Sequence, residues 1–315
     1  MNRPNYHMRY RRSVYRKKRI KTAILTSVIS LAVIALLFVI IGNAVGNKVE
    51  ENVTRRRNTS AEAQQSEHAQ VRSVKAFPVT LFDESSTLAS RLKVATDGGY
   101  GEICFDLDSP DGTLLYSSDV SLALGKQAAN PELWSLPDAV KQFESRELYS
   151  IGVTHLAEMS SDDDLLRASA SGYYASLIAE ALRSGVDEVL IHAGDVPRER
   201  YGELILLATE VHRLCPEGGF VGISLPVGVL SDAEASELID GLWGAFDYLA
   251  ADLTGAGADG QSIPDAVSSS LGGMLYYLLR YNVRVLVPYS DDQNVLAATV
   301  DAVFASGSQN VQIMY

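Results

Sequence analysis

The feature that most restricts the fold of this 315-residue chain is an alternation that occurs eight times between Phe77 and Tyr315. Each unit is a short β-branched run, a polar break and a segment of helical length. Strands that alternate with helices predict parallel pairing, because each helix returns the chain across the sheet. Eight units within residues 71–315 match a closed (β/α)8 TIM-like barrel, which typically has about 250 residues. The predicted strands are Phe77–Phe82, Glu102–Leu107, Leu148–Thr154, Val186–Ala193, Phe220–Leu225, Asp247–Asp252, Val283–Tyr289 and Val311–Tyr315.

The eighth run ends the sequence, so the predicted barrel lacks the last helix. The apolar outer faces of the first and last strands then need cover from another part of the molecule. Either the segment Val71–Lys75 folds back over them or a second copy docks there. A homodimer is therefore one expectation.

The amino-terminal residues predict a membrane anchor. Thr22 to Gly42 contains 21 residues without a charge, and about 20 apolar residues are needed to cross a bilayer as a helix. Residues 1–21 contain nine Lys or Arg and no acid, which favours a cytoplasmic amino terminus. The alternative is a cleaved signal peptide, whose apolar part is normally about 7–15 residues. We predict a cytoplasmic tail (1–21), a transmembrane anchor (22–42), a polar stalk (43–70) and an extracytoplasmic barrel (71–315) at the cell membrane.

Charge divides sharply along the chain. The whole sequence has a net charge of −12, whereas residues 71–315 contain 14 basic and 35 acidic residues, a net charge of −21. Phosphate backbones would be repelled by such a domain, so nucleic acid is excluded as a partner. The two cysteines, Cys104 and Cys215, have no neighbours at ligand spacing, so we expect free thiols, no metal and no cofactor.

Side-chain alternation predicts which groups line the upper lumen of the barrel, because alternate residues of a barrel strand face the helices and the lumen. In the third strand we assign Tyr149, Ile151 and Val153 to the helix side, with Thr154 inside. The other strands give the remaining polar groups. The predicted lining is Asp106, Thr154, His192, Ser224 and Asp252.

Two segments carry a resemblance to a known family. Gly101–Gly112 reads Gly-Glu-Ile-Cys-Phe-Asp-Leu-Asp-Ser-Pro-Asp-Gly and runs on to Leu115-Tyr116-Ser117. Together with Gly185–Val189 and Pro197, it resembles a bacterial family of glycoside hydrolase-like barrels, often membrane-tethered and loosely related to the amylase-like clan. The resemblance covers most of residues 74–290. It implies a barrel that acts on glycans, with the nucleophile on the fourth strand and the acid on the fifth.

The departures from that family concern the residues that would carry the chemistry. Where the family has Asp-Val-Lys, this chain has Asp106-Leu107-Asp108. His192 occupies the position where the family has a carboxylate on the fourth strand, and Asp195 occupies the position of its arginine. The fifth strand offers Ser224 and no carboxylate. Glycoside hydrolysis generally requires two carboxyl groups that flank the bond. The usual catalytic motif is therefore degenerate.

Three functions remain open at this point. The first is a membrane-anchored barrel that no longer hydrolyses and instead binds or scaffolds cell-envelope glycan. The second is an active hydrolase of cell-wall or exopolysaccharide that uses a rearranged carboxylate pair, and the third is a structural partner of an envelope complex. The catalytic candidates are Asp106, His192 and Asp195, and the candidates for substrate binding are Asp108, Thr154, Ser224, Asp252 and Tyr289.

Overall fold

The computed structural model describes residues 75–81, 85–120, 135–161, 164–216 and 219–314. Within them, eight parallel strands form a closed barrel in chain order, and the first strand pairs with the eighth through Lys75 with Val311 and Ala76 with Gln312. The predicted eight-stranded parallel barrel is confirmed. The strands are β1 (Lys75–Pro78), β2 (Glu102–Asp106), β3 (Tyr149–His155), β4 (Glu188–His192), β5 (Phe220–Pro226), β6 (Tyr248–Asp252), β7 (Arg284–Pro288) and β8 (Asn310–Met314).

Helices cover the outside of the barrel. Two of them begin with a serine cap followed by proline in the first turn, where proline lacks only an amide that has no helical partner. A 3₁₀ turn at Arg198–Arg200 precedes the helix after β4. The described helices are α1 (Ser85–Asp97), α2 (Leu136–Glu144), α3 (Ala157–Ser160), α4 (Asp164–Arg183), α5 (Tyr201–Leu214), α6 (Val227–Leu230), α7 (Ser236–Trp243), α8 (Ile263–Leu271), α9 (Leu275–Arg280) and α10 (Gln293–Ala305).

Two apolar clusters correspond to the two faces of the strands. The larger cluster lies between strands and helices and includes Val189, Ile191 and Ile223, as the alternation predicts. The smaller cluster fills the lumen of the barrel, which is therefore a packed core without a channel, as in other barrels of eight strands. Its buried members are Ala76, Cys104, Ile151, Val153, Leu190, Tyr248, Ala250, Leu286 and Met314.

The predicted side-chain orientation of the third strand is wrong. Ile151 and Val153 belong to the lumenal cluster, so the helix side of β3 carries Ser150, Gly152 and Thr154. These small and polar residues fit on the helix side because Ser150 has a hydrogen-bond partner and Gly152 leaves room for a neighbouring side chain. Ser150 Oγ donates to Asp187 Oδ2 at 2.8 Å, and a Cβ on Gly152 would meet Leu107 at 3.1 Å. The lumen receives the bulky apolar side chains instead.

The amino-terminal ends of the strands enclose an ion pair inside the lumen. Arg284 donates to both carboxylate oxygens of Glu188, and its Nη1 also donates to Tyr248 Oη at 2.8 Å and to Gln312 Oε1 at 3.1 Å. The guanidinium lies 4.1 Å from the centre of the Tyr248 ring. This end of the barrel is closed by paired charges.

The predicted anchor, Thr22–Gly42, lies outside the described residues, as do the tail and the stalk. None of the described helices α1 to α10 is both long and apolar enough to cross a bilayer. The expectation of a second copy also stays a prediction.

Candidate ligand site at the rim of the barrel

Two histidine–aspartate pairs lie at the carboxyl ends of the strands. His155 ends β3, and its Nε2 is 3.3 Å from Oδ1 of Asp106 at the end of β2. His192 ends β4, and its Nε2 is 2.9 Å from Oδ2 of Asp252 at the end of β6. The two imidazole rings are 5.0 Å apart between centres. The four side chains therefore form a continuous row across the open rim.

Asp252 is fixed at one end of this row. Its Oδ1 accepts from the backbone nitrogen of Thr254 at 2.9 Å and from the hydroxyl of Thr254 at 2.7 Å. Burial alone would raise the pKa of Asp252, but the hydrogen bonds from His192 and Thr254 and the charge of His192 outweigh it, and the pKa lies below its usual value. A Cβ on Gly194 would lie 2.8 Å from Asp252 Oδ2, so a side chain there would disturb the pair.

Asp106 forms the more open end. A third of its side chain, 33%, is exposed, compared with 14% for Asp252. It borders a hollow of about 170 Å³, which includes space open to solvent. Burial raises the pKa of the Cys104 thiol in this hollow, and the thiol donates to the carbonyl oxygen of Ile313 at 3.0 Å, so the nucleophilic thiolate form is disfavoured. The hollow is lined by Pro78, Val79, Cys104, Phe105, Asp106, Val153 and Met314.

Ser224 contributes a buried hydroxyl without a protein partner. The residue is 0% exposed, and its Oγ makes no hydrogen bond within the part of the chain that the structure describes. It pairs with His192 in the register of β4 and β5. Because β5 separates β4 from β6, the His192–Asp252 contact spans the strand that carries Ser224. A buried polar atom without a partner is costly, so this hydroxyl is a candidate to bind water or ligand.

Asp108 and Thr154, which we predicted to bind substrate, lie behind the rim and are both 0% exposed. Asp108 Oδ1 accepts from the backbone nitrogen of His155 at 2.7 Å, and Oδ2 accepts from the Thr154 hydroxyl at 3.1 Å. Burial raises the pKa of Asp108 well above its usual value. The lumenal position predicted for Thr154 is wrong, and the two residues support the backbone of His155 instead.

The other two predicted residues lie at the periphery. Asp195 is exposed in the turn that follows β4. Tyr289 is half-buried, and its ring packs edge-on against Phe77 at 6.0 Å between centres. The structure thus brings the predicted residues Asp106, His192 and Asp252 into the row, with Ser224 buried beside His192, and leaves Asp195 and Tyr289 outside it.

His155 was missed by the sequence reasoning, although a signal for it was present. The predicted third strand ended at Thr154, and the assumed alternation assigned the lumen to the wrong set of residues. Tyr149, Ile151, Val153 and His155 share one face of β3. If bulky side chains had been assigned to the lumen, His155 would have followed as a rim residue.

The arrangement suits hydrogen bonding to a hydroxyl-rich ligand. Each imidazole can donate or accept a hydrogen bond, and each is oriented by a carboxylate. Among the residues that the structure describes, no three His, Cys, Asp or Glu side chains are placed to hold a metal ion together. The carboxyl-terminal parts of β4 and β5 carry the register partners His192 and Ser224, where the family resemblance implies a nucleophile and an acid.

The sequence matches no protein-family profile and no curated protein. Solved structures share the fold. An endo-1,4-β-mannanase from Rhizomucor miehei matches 76% of this chain and 85% of its own, with a TM-score of 0.55 and 9% identity. The endoglucanase Cel5A from the hyperthermophilic Thermotoga maritima matches 76% of this chain and 89% of its own, with a TM-score of 0.52 and 9% identity. At such identities the similarity establishes the fold alone, which is the TIM barrel of these glycan-processing enzymes.

Proposed function

We propose that this chain is a membrane-anchored, extracytoplasmic barrel that binds cell-envelope glycan at its rim without hydrolysing it. One observation carries the proposal. The two carboxylates in the rim row, Asp106 and Asp252, each contact an imidazole, and the ends of β4 and β5 bring His192 and Ser224 to the positions between them. Such a row offers donors and acceptors for sugar hydroxyls, and both of its carboxyl groups are already engaged by imidazoles, whereas glycoside hydrolysis needs two carboxyl groups that flank the bond.

Hydrolysis and binding are tested on the same preparation, the full chain in detergent micelles. Peptidoglycan and a panel of polysaccharides are incubated with the protein, and new reducing ends are measured beside direct binding by calorimetry. We expect binding without new reducing ends. The variant His192→Ala should weaken binding roughly tenfold, since it removes a hydrogen bond that a charged group orients. Asp301→Asn, on the exposed side of α10, is the matched control and should bind as the wild type does.

Turnover would contradict the proposal. If the protein released reducing ends and Asp106→Asn or Asp195→Asn abolished that release, the chain would be an active hydrolase with a rearranged carboxylate pair. If the protein neither bound nor hydrolysed any glycan of the panel, the remaining hypothesis would be a structural partner of an envelope complex.

The anchored topology needs its own experiment. A tag at the carboxyl terminus is expected to be digested when protease is added to intact spheroplasts, and the protein is expected to stay in the membrane at alkaline pH. The reason is the uncharged segment 22–42 behind a tail of nine basic residues. A tag that is protected from protease, or a protein released at alkaline pH, would refute the anchor.

A further inference from the structure

The rim of the barrel carries an excess of negative charge. In the described loops that follow the strands, the exposed acids Asp195, Asp259, Asp291 and Asp292 join the partly exposed Asp106. The arginines in those same loops are already paired. They are Arg198, which contacts Asp232, and Arg200, which contacts Glu203 and is buried.

The lumen does not offset this charge. Arg284 lies at the opposite end of the barrel, where Glu188 neutralises it. A ligand that approaches the rim therefore meets a field that favours positive charge and disfavours phosphate, sulfate or uronic acid.

Ser224 gives a second and independent indication of a ligand. Its hydroxyl is fully buried and has no protein partner in the described residues, and it lies on the strand between His192 and Asp252. A buried hydroxyl is normally satisfied by protein, by ordered water or by a bound molecule. The acidic rim therefore lies beside a buried hydroxyl on β5 that has no hydrogen-bond partner among the described residues.

We propose that the glycan bound at this rim carries free amino groups, as in a partly de-N-acetylated amino-sugar polymer. The ammonium group of the sugar contacts Asp106, whose side chain is both accessible and oriented by His155. The sugar hydroxyls contact the imidazoles and, through water, the buried Ser224 hydroxyl. The inference rests on the function proposed above and specifies the class of glycan.

The test compares two hexasaccharides of the same length, one of glucosamine and one of N-acetylglucosamine, by calorimetry with the full chain in detergent micelles. At low salt we expect the glucosamine oligomer to bind at least tenfold more tightly, and we expect the difference to shrink as salt screens the rim. Asp106→Asn should weaken the glucosamine oligomer about three- to fivefold more than it weakens the N-acetylated oligomer, as expected for the loss of a partly exposed charge pair. Asp301→Asn removes the same charge from an exposed position on α10 and should change neither affinity.

Hexalysine separates recognition of an amino sugar from simple attraction of a polycation. It should bind at least tenfold more weakly than the glucosamine oligomer. Equal binding of hexalysine, or an equal loss in Asp106→Asn and Asp301→Asn, would overturn the inference. A thermal melt of each variant verifies that it is folded, and Asp195→Asn replaces Asp106→Asn if the latter is not.

The two proposals fail in different ways. Preference for the N-acetylated oligomer, or equal affinity for both, overturns the amino-sugar inference and leaves glycan binding intact. If neither hexasaccharide nor any polysaccharide of the panel binds, the proposed function fails and the inference fails with it.

Discussion

Replacing Arg284 with methionine should destabilise the barrel strongly. Arg284 is 3% exposed and Glu188 is 1% exposed, and the guanidinium donates to both oxygens of that carboxylate. Methionine fills the space with apolar atoms but leaves Glu188 without its counter-charge. Hydrogen bonds remain from Tyr248 Oη at 2.5 Å and Tyr149 Oη at 3.3 Å.

The expected magnitude follows from the cost of a buried charge. Removing one partner of a buried ion pair typically destabilises a protein by about 3–5 kcal/mol. The two tyrosine hydroxyls that still donate to Glu188 favour the lower end, about 3 kcal/mol. For a domain of this size, about 1 kcal/mol corresponds to roughly 2–4 °C, so the melting temperature should fall by about 6–12 °C.

Thermal melts of the full chain, followed by near-ultraviolet circular dichroism, provide the measurement. Lys141→Met breaks an ion pair with Asp138 whose members are 69% and 62% exposed, and it should shift the melting temperature by less than about 2 °C. The double variant Arg284→Met with Glu188→Gln removes the unpaired charge. Its free energy of unfolding should exceed that of the single variant Arg284→Met by about 1 kcal/mol or more. Equal shifts for Arg284→Met and Lys141→Met would refute the reasoning.

Two further predictions concern packing and protonation. Gly222→Ala should destabilise the protein by about 1–3 kcal/mol in urea unfolding, because a Cβ at Gly222 overlaps the buried ring of Tyr248; Gly228→Ala, which meets nothing within 4 Å, is its control. Asp108→Asn should make stability less dependent on pH. Burial raises the pKa of Asp108 in the folded state, so the folded state retains a proton that the unfolded chain loses above about pH 3.9. The free energy of unfolding of the wild type should therefore fall as the pH rises from about 3.9 to the folded pKa of Asp108.

Each of these predictions has a clear contrary result. Equal urea midpoints for Gly222→Ala and Gly228→Ala would mean that the lumen can expand around Tyr248. If the stability of wild type and Asp108→Asn changed in parallel from pH 4 to pH 7, Asp108 would titrate as an ordinary carboxyl group. Thr154→Val removes one of the hydrogen-bond donors to Asp108 and so raises the folded pKa of Asp108 further, and the fall of stability in this variant should extend to higher pH than in the wild type.

The closed barrel could be predicted from sequence because its signal is repeated. Each strand is a short apolar run between helical segments, and errors of a few residues at the ends do not change the topology. The first strand has the largest such error. It was predicted as Phe77–Phe82 and spans Lys75–Pro78, and pairing with Val311 on β8 extends its start.

The orientation of the third strand could not be read from hydrophobicity alone. Both faces of a barrel strand are buried, so apolar residues occur on the lumenal face as well as on the helix face, and hydrophobicity does not distinguish the two. Ser150 could be placed against the helices only by knowing that Asp187, which precedes β4, accepts its hydroxyl. That contact joins residues 37 positions apart. Only the tertiary structure supplies such partners, and the loss of His155 from the predicted site followed from this one misassignment.

The same packing limits how a ligand can bind. Below the rim row, Val153, Leu190 and Leu286 fill the lumen, and further down the Arg284–Glu188 pair closes it. A sugar ring therefore cannot descend into the barrel, because it would have to displace buried apolar side chains that are packed at high density. Contacts are confined to the row from Asp106 to Asp252 and to the loops around it. A chain-like ligand that lies across the rim can use all of these contacts at once, whereas a monosaccharide can reach only part of them. Affinity should consequently rise with oligosaccharide length until the row is spanned, and a monosaccharide that bound as tightly as a hexasaccharide would place the ligand elsewhere on the molecule.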